Sequence, residues 1–175
     1  MVMEIRELQA TDRDAVERFV ARVPEGDRTF FKEDVKAPGT VDAWTRPGTA
    51  RAVAVEDGEV VGYVAVVPLH GWSSHVGEVR VIVDPDRRGR GIGRALAQRA
   101  VIEAVELDLR KMVVEVVADQ EPTIAMFRSL GFDPEALLTN HVRDRSGALR
   151  DLMILANSVD EQWSSMAVAG IADEL

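Results

Sequence analysis

The residues of this chain best suited to chemistry lie in one short run. Arg87, Arg88, Arg90 and Arg94 place four arginines within eight positions of an otherwise acidic sequence, and Gly89, Gly91 and Gly93 are interleaved with them. Glycine lets a backbone turn tightly and approach a ligand with no Cβ in the way, while guanidinium groups match phosphate oxygens. The run follows a β-branched stretch, Val76 to Val83, which Asp84-Pro85 ends because proline cannot extend a strand ladder. It leads into Ile92, Leu96, Ala100, Val101, Ala104, Val105 and Leu107, which recur at helical spacing. A turn between a strand and a helix N-terminus aims several unpaired N–H groups and the positive end of the helix dipole at one spot, and such a spot binds phosphate. Two rival phosphate motifs do not fit. Neither Gly89-x-Gly91 nor Gly91-x-Gly93 has glycine or alanine three residues later, as a dinucleotide fingerprint needs, and the Gly-Lys-Ser/Thr of a Walker loop is absent. A third reading, a glycine-rich turn with solvated arginines, explains neither the spacing nor the local reversal of charge.

The elements that must position this turn are readable on both sides of it. Met3 to Leu8 reads as a strand, and Thr11 as the cap of a helix whose apolar residues are Ala15, Val16, Phe19 and Val20. Pro24 to Pro47 is irregular, with a short helix expected around Phe31 to Val35; its aromatics Phe30, Phe31 and Trp44 either line a pocket or cap the core. Ala50 to Val55 and Glu59 to Val67 form a hairpin around Asp57-Gly58, which supplies the positive φ angles of a type I′ turn. Lys111 to Val117 is nearly continuous valine, so strand, basic turn, helix and strand make a βαβ-like unit. Glu121-Pro122 opens a helix through Ile124, Ala125, Phe127 and Leu130 that Gly131 stops. Leu137 to Val142 and Leu149 to Leu155 read as a second hairpin, and the tail from Asn157 as an edge helix, a homodimer arm or disordered chain.

Composition narrows the classes. The length of 175 residues fits one core, here residues 1–156, with a tail over 157–175. The absence of cysteine excludes disulfides, thiolate metal sites and a covalent acyl-cysteine. His70, His75 and His141 are scattered singly, so no metal is expected. A net charge of -9 disfavours nucleic acid and anionic membranes as partners but leaves room for a small anionic ligand at the basic turn. With no long apolar run and no secretory signal at the N-terminus, the expected location is cytoplasmic.

Arg88-Gly89-Arg90-Gly91-Ile92-Gly93 resembles the phosphate turn of the GNAT superfamily of acyltransferases, Arg/Gln-x-x-Gly-x-Gly/Ala after a Val-x-Pro strand end. The order of elements resembles that family to about residue 156, and Gln120 to Phe132, ending Phe127-Arg128-Ser129-Leu130-Gly131-Phe132, is similar to its later helix motif. The resemblance implies an α/β fold with a central, mostly antiparallel mixed sheet, flanked by helices and splayed between its fourth and fifth strands, Val76–Val83 and Lys111–Val117. Acetyl-CoA as cosubstrate would lie in that cleft, along the strand end Val81, Ile82, Val83. The N–H groups of Arg88, Gly89, Arg90, Gly91, Ile92, Gly93 and Arg94 would hold its pyrophosphate, and the Val83 N–H would meet the charged oxygen that acyl transfer creates. Gln120 stands where the family often has Asn, and Phe127 where many members place a tyrosine that protonates the leaving thiolate. The implied reaction is direct transfer of an acetyl group to a primary amine of a small molecule or peptide. The attacking amine must lose a proton. Glu115, the lone acid in a strand suited to burial, is the first candidate to take it. Glu78 is the second, although an ordinary ion pair with Arg80 on the same strand face is the better explanation for it. The alternative is a non-catalytic acyl-CoA-binding regulatory or interaction module of the same fold.

Overall fold

The computed structural model describes residues 3–46 and 49–168; Pro47 and the last seven residues of the tail lie outside the described residues. Strand β1 (Met3–Glu7) leads through a single helical turn, Ala10–Asp12, into helix α1 (Arg13–Arg22). Asp12 rather than Thr11 stands at the N-cap of α1, and its side chain makes no cap hydrogen bond to that helix. The Asp12 carboxylate accepts the Gln9 N–H at 2.8 Å and both terminal nitrogens of Arg6 at 2.7 Å, tying β1 to the turn. The irregular segment contains a tight helical turn over Asp27–Phe31 and a short helix α2 (Thr40–Trp44), so the helix expected at Phe31 to Val35 lies elsewhere.

The Asp57-Gly58 turn forms as its residues dictate, with φ of 51° and 81°, and joins β2 (Arg51–Glu56) to β3 (Glu59–Pro68). Strand β4 (Val76–Val83) runs into the basic turn and helix α3 (Ile92–Glu106). Then come β5 (Lys111–Val117), α4 (Glu121–Ser129), β6 (Asp133–Arg143), β7 (Leu149–Ser158) and α5 (Val159–Val168). Pro122 sits in the first turn of α4, and Gly131 beyond its end has φ of 86°, a conformation that glycine adopts without strain.

Seven strands form one sheet in the order β1-β2-β3-β4-β5-β7-β6. Both faces are covered, which is why its central strands read as apolar runs. One core lies under α3, α4 and α5 and takes Val64, Val66, Val79, Met112, Val114 and Val116 from the strands. The second lies under α1 and the 27–44 segment and takes Val53, Tyr63, Ala65 and Ile82. Helix α3 sits so close to β3 that a Cβ on Gly62 would lie 2.7 Å from Leu96 Cδ1. The tail forms a helix on the first core, with Val159 and Met166 buried.

Among the described residues the sheet has one parallel pair, β4 with β5, and it is also the shortest. It joins Val76, Gly77 and Glu78 to Lys111, Met112 and Val113 and then stops. Strand β4 stays paired with β3 as far as Val83, and β5 stays paired with β7 as far as Val117, so the sheet divides beyond Glu78 into two halves with a cleft between them.

Candidate functional site

The basic turn lies at the mouth of this cleft. Gly89 and Gly91 have φ of 76° and 83°, and a Cβ on either would meet nothing within 4 Å, so the backbone there is open to solvent. The first intrahelical hydrogen bond of α3 runs from the Ala95 N–H to the Gly91 carbonyl at 3.0 Å, which leaves the N–H groups of Ile92, Gly93 and Arg94 without helical acceptors. Unpaired donors, the positive end of a 15-residue helix and open space above two glycines fit a diphosphate. The arginine side chains are less available than the sequence suggests. Arg87 and Arg90 converge on the buried Glu56 at 3.3 and 3.7 Å, Arg88 holds Asp27 at 2.6 Å, and Arg94 donates to Ser129 Oγ at 2.8 Å. The local excess of positive charge is thus partly balanced by acids remote in sequence, and the backbone carries more of the site than its arginines.

The open edge of β4 follows from strand alternation. The Asp84 N–H donates to the Val61 carbonyl and the Leu69 N–H to the Val76 carbonyl, both at 2.9 Å, so residues 76, 78, 80, 82 and 84 turn their backbone groups toward β3. Val81 and Val83 therefore turn theirs toward β5, beyond the point where the ladder ends. Ile82 does not belong with them. Its backbone groups face β3 and its side chain is buried in the second core.

At the closed end of the cleft, on the α1 side of the sheet, the side chain of Lys32 reaches Glu78 on β4 and Glu115 on β5. Arg80 donates to the other oxygen of Glu78 at 2.9 Å and to Glu33 at 2.8 Å. Arg51 lies 3.6 Å from Glu33 and donates to the Tyr63 hydroxyl at 2.8 Å. Burial pushes the Glu78 carboxyl up, but hydrogen bonds from Lys32 and Arg80 outweigh it and hold the group below its ordinary value. Burial pushes the Tyr63 hydroxyl up to about 12, against the neighbouring Arg51, so Tyr63 is a poor proton donor near neutral pH.

The Glu78–Arg80 ion pair expected from the strand face is present. Glu115 comes within one lysine's reach of Glu78, which spacing alone did not show. Its environment differs from the expectation: in β5 the buried residues are Met112, Val114, Val116 and Val117, and Glu115 stands on the more open face with its side chain 34% exposed. Phe127 is also placed differently. Its ring is 1% exposed and packs edge-on against Phe132 at 5.2 Å, so it belongs to the core rather than to an open cleft wall. Gln120 caps α4 just past the end of β5, on the cleft's far side. The aromatics of the irregular segment pack in the core: Phe31 and Trp44 are buried, Phe31 stacks on Trp44 and Trp44 on Tyr63, and Phe30 packs partly buried against them. Lys32, Glu33 and Arg51 were missed in the sequence, where two sit in the irregular segment and nothing local marks their partners. A groove of about 510 Å³ between α1 and residues 35–42 lies apart from all these groups. Among the described residues no group of His, Asp and Glu is placed to hold a metal ion, and no helix is long and apolar enough to cross a membrane.

The sequence model described as the Acetyltransferase (GNAT) family matches residues 8–132. The chain is 29% identical over 157 residues to the uncharacterized N-acetyltransferase YjgM of Escherichia coli, covering 85% of this chain and 94% of that one. It is also 29% identical over 129 residues to the L-amino acid N-acyltransferase MnaT of Escherichia coli, covering 73% and 74%. Among solved structures, an acetyltransferase of Salmonella typhimurium with its cofactor acetyl-CoA superposes with a TM-score of 0.75 at 24% identity, over 92% of this chain and 96% of that one.

Proposed function

Because the chain belongs to the GNAT family of acetyltransferases, we propose that it transfers the acetyl group of acetyl-CoA directly to a primary amine held over the opening between β4 and β5. The observation that carries this reading is the continuity of the cleft. A phosphate-binding turn, an unpaired strand edge and a pair of carboxylates follow one another along β4, in the order that a diphosphate, an amide-bearing arm and a reacting thioester require.

Acetyl-CoA supplies an activated acyl group whose leaving group is a thiolate. The N–H groups of the 88–94 turn hold its pyrophosphate, and the edge groups of Val83 and Val81 hold its arm by strand-like hydrogen bonds. Val81 lies two residues, about 6.6 Å, nearer the closed end than Val83. The Val81 N–H therefore meets the thioester oxygen and Val83 the arm, which exchanges the roles implied by the resemblance. Fixed donors at that oxygen stabilise the charge that develops as the amine attacks. The acceptor nitrogen takes the place of the Lys32 ammonium between Glu78 and Glu115. Glu115 accepts its proton, because Glu78 stays hydrogen-bonded to Arg80 when the lysine is displaced and is the weaker base. The net charge of -9 favours acceptors that arrive as cations.

Release of CoA thiol in the presence of an amine panel tests this. The panel includes free amino acids, in view of the relative named for L-amino acids, together with a polyamine and a basic peptide. The expected result is amine-dependent thiol release with a matching acetylated product; thiol release by no amine of the panel, with acetyl-CoA bound, would contradict it.

A further inference from the structure

Resting on the reading above, in which the thioester carbon lies in the opening between β4 and β5, we propose that Lys32 is an acceptor in its own enzyme: with no other amine present, its Nζ takes the acetyl group. Lys32 donates to Glu78 on one strand and to Glu115 on the other, so the amine spans the two strands where their ladder ends. It has the same carboxylate partners that an attacking acceptor amine needs, and so occupies the acceptor's position. The backbone holds it there. Lys32 has φ of 59°, a left-handed conformation that lysine adopts at a cost, and its neighbour Glu33 is bonded to Arg80 at 2.8 Å. The chain has only two other lysines, Lys36 and Lys111. They lie 3.7 Å from Glu25 and 2.7 Å from Glu135 respectively, and neither touches Glu78 or Glu115.

In the proposed step a carboxylate takes one proton from the Lys32 ammonium, and the freed nitrogen bonds to the acetyl carbon. The C–S bond breaks with its electron pair on sulfur, and a second proton leaves the nitrogen to give CoA thiol. The products are acetyl-lysine, CoA thiol and one proton on the carboxylate. An uncharged amide cannot bridge two carboxylates, so modification opens the acceptor site to an incoming cation.

The test incubates the full-length protein with acetyl-CoA and no amine and follows its intact mass and peptide map. The expected result is one acetyl group per chain, on Lys32, formed at least about tenfold faster than on the more exposed Lys36 and suppressed by excess CoA. Lys32→Arg should remove the mass increase, and Glu115→Gln should slow it by about a hundredfold while Lys32 remains in place. If acetyl-CoA raises the melting temperature but Lys32 stays unmodified, or if all three lysines react alike and ignore Glu115→Gln, the proposal falls while the cleft reading stands. If neither melting temperature nor mass changes, both fall. The bridge has a readout of its own without acetyl-CoA. Lys32→Gln should lower the melting temperature more at about 0.01 M salt than at about 1 M, where screening weakens the repulsion between the two carboxylates. An equal loss at both values would show that the ammonium does not lie between two charges.

Discussion

Glu78 and Glu115 face the same lysine, yet they differ in what else holds them. Glu78 is buried and shared between Lys32 and Arg80, whereas Glu115 has a half-open side chain with solvent beside it. A base that can pass its proton to water is the more useful one, so Glu115→Gln is expected to lower turnover by about a hundredfold with acetyl-CoA affinity nearly unchanged. Turnover within about threefold of wild type would make Glu115 a structural partner of Lys32. Phe127 gives the opposite kind of expectation. Its ring is enclosed beside Phe132, so Phe127→Tyr places a hydroxyl where it has no partner. The variant should lose roughly 1–3 kcal/mol of stability with no gain in rate; a faster enzyme with an unchanged melting temperature would show instead that the ring edge reaches the thioester. Both residues were legible as positions, Glu115 as the one acid in a valine strand and Phe127 from the helix motif. Their surroundings were not, because strand alternation and helix rotation decide which face a side chain meets. Lys32 was illegible, since its partners lie 46 and 83 residues away.

Strand, turn and helix around Arg88 to Arg94 were the most legible elements of the chain. Proline, glycine and the apolar helical spacing are local signals, and they mark the end of β4 and the start of α3 directly. The cleft is a different matter. Where the β4–β5 ladder stops depends on pairings between distant segments, and only the resemblance to a known fold anticipated it. The irregular segment yielded least, because its short helical turns are fixed by core contacts of Phe31 and Trp44 rather than by propensity. The turn itself supports a clean test. Gly91 has open space around its Cβ position, so Gly91→Asp is accommodated with modest backbone strain but puts a carboxylate among the phosphate-facing donors. The variant should keep its circular dichroism spectrum and lose measurable acetyl-CoA binding. A native spectrum with retained affinity would place the phosphate elsewhere.

At the scale of the whole molecule, the ion pair that ties β1 to the start of α1 gives stability a pH dependence with a definite sign. Hydrogen bonds from Arg6 hold the Asp12 carboxyl below its ordinary value despite burial. A depressed folded value means that the pair's stabilisation is complete above the unfolded carboxylate range, near pH 4, and is lost as pH falls through the folded value. Asp12→Asn should therefore lower the melting temperature at about pH 6 and lower it progressively less below about pH 4; a deficit independent of pH would assign the loss to packing. The central claim, that the cleft between β4 and β5 is built for acetyl-CoA, is tested most directly by the melting temperature of the wild-type protein with and without that cosubstrate. At about a hundred times its dissociation constant a bound ligand adds roughly 2.7 kcal/mol, so the account predicts a rise of several degrees. No shift at millimolar acetyl-CoA would contradict it.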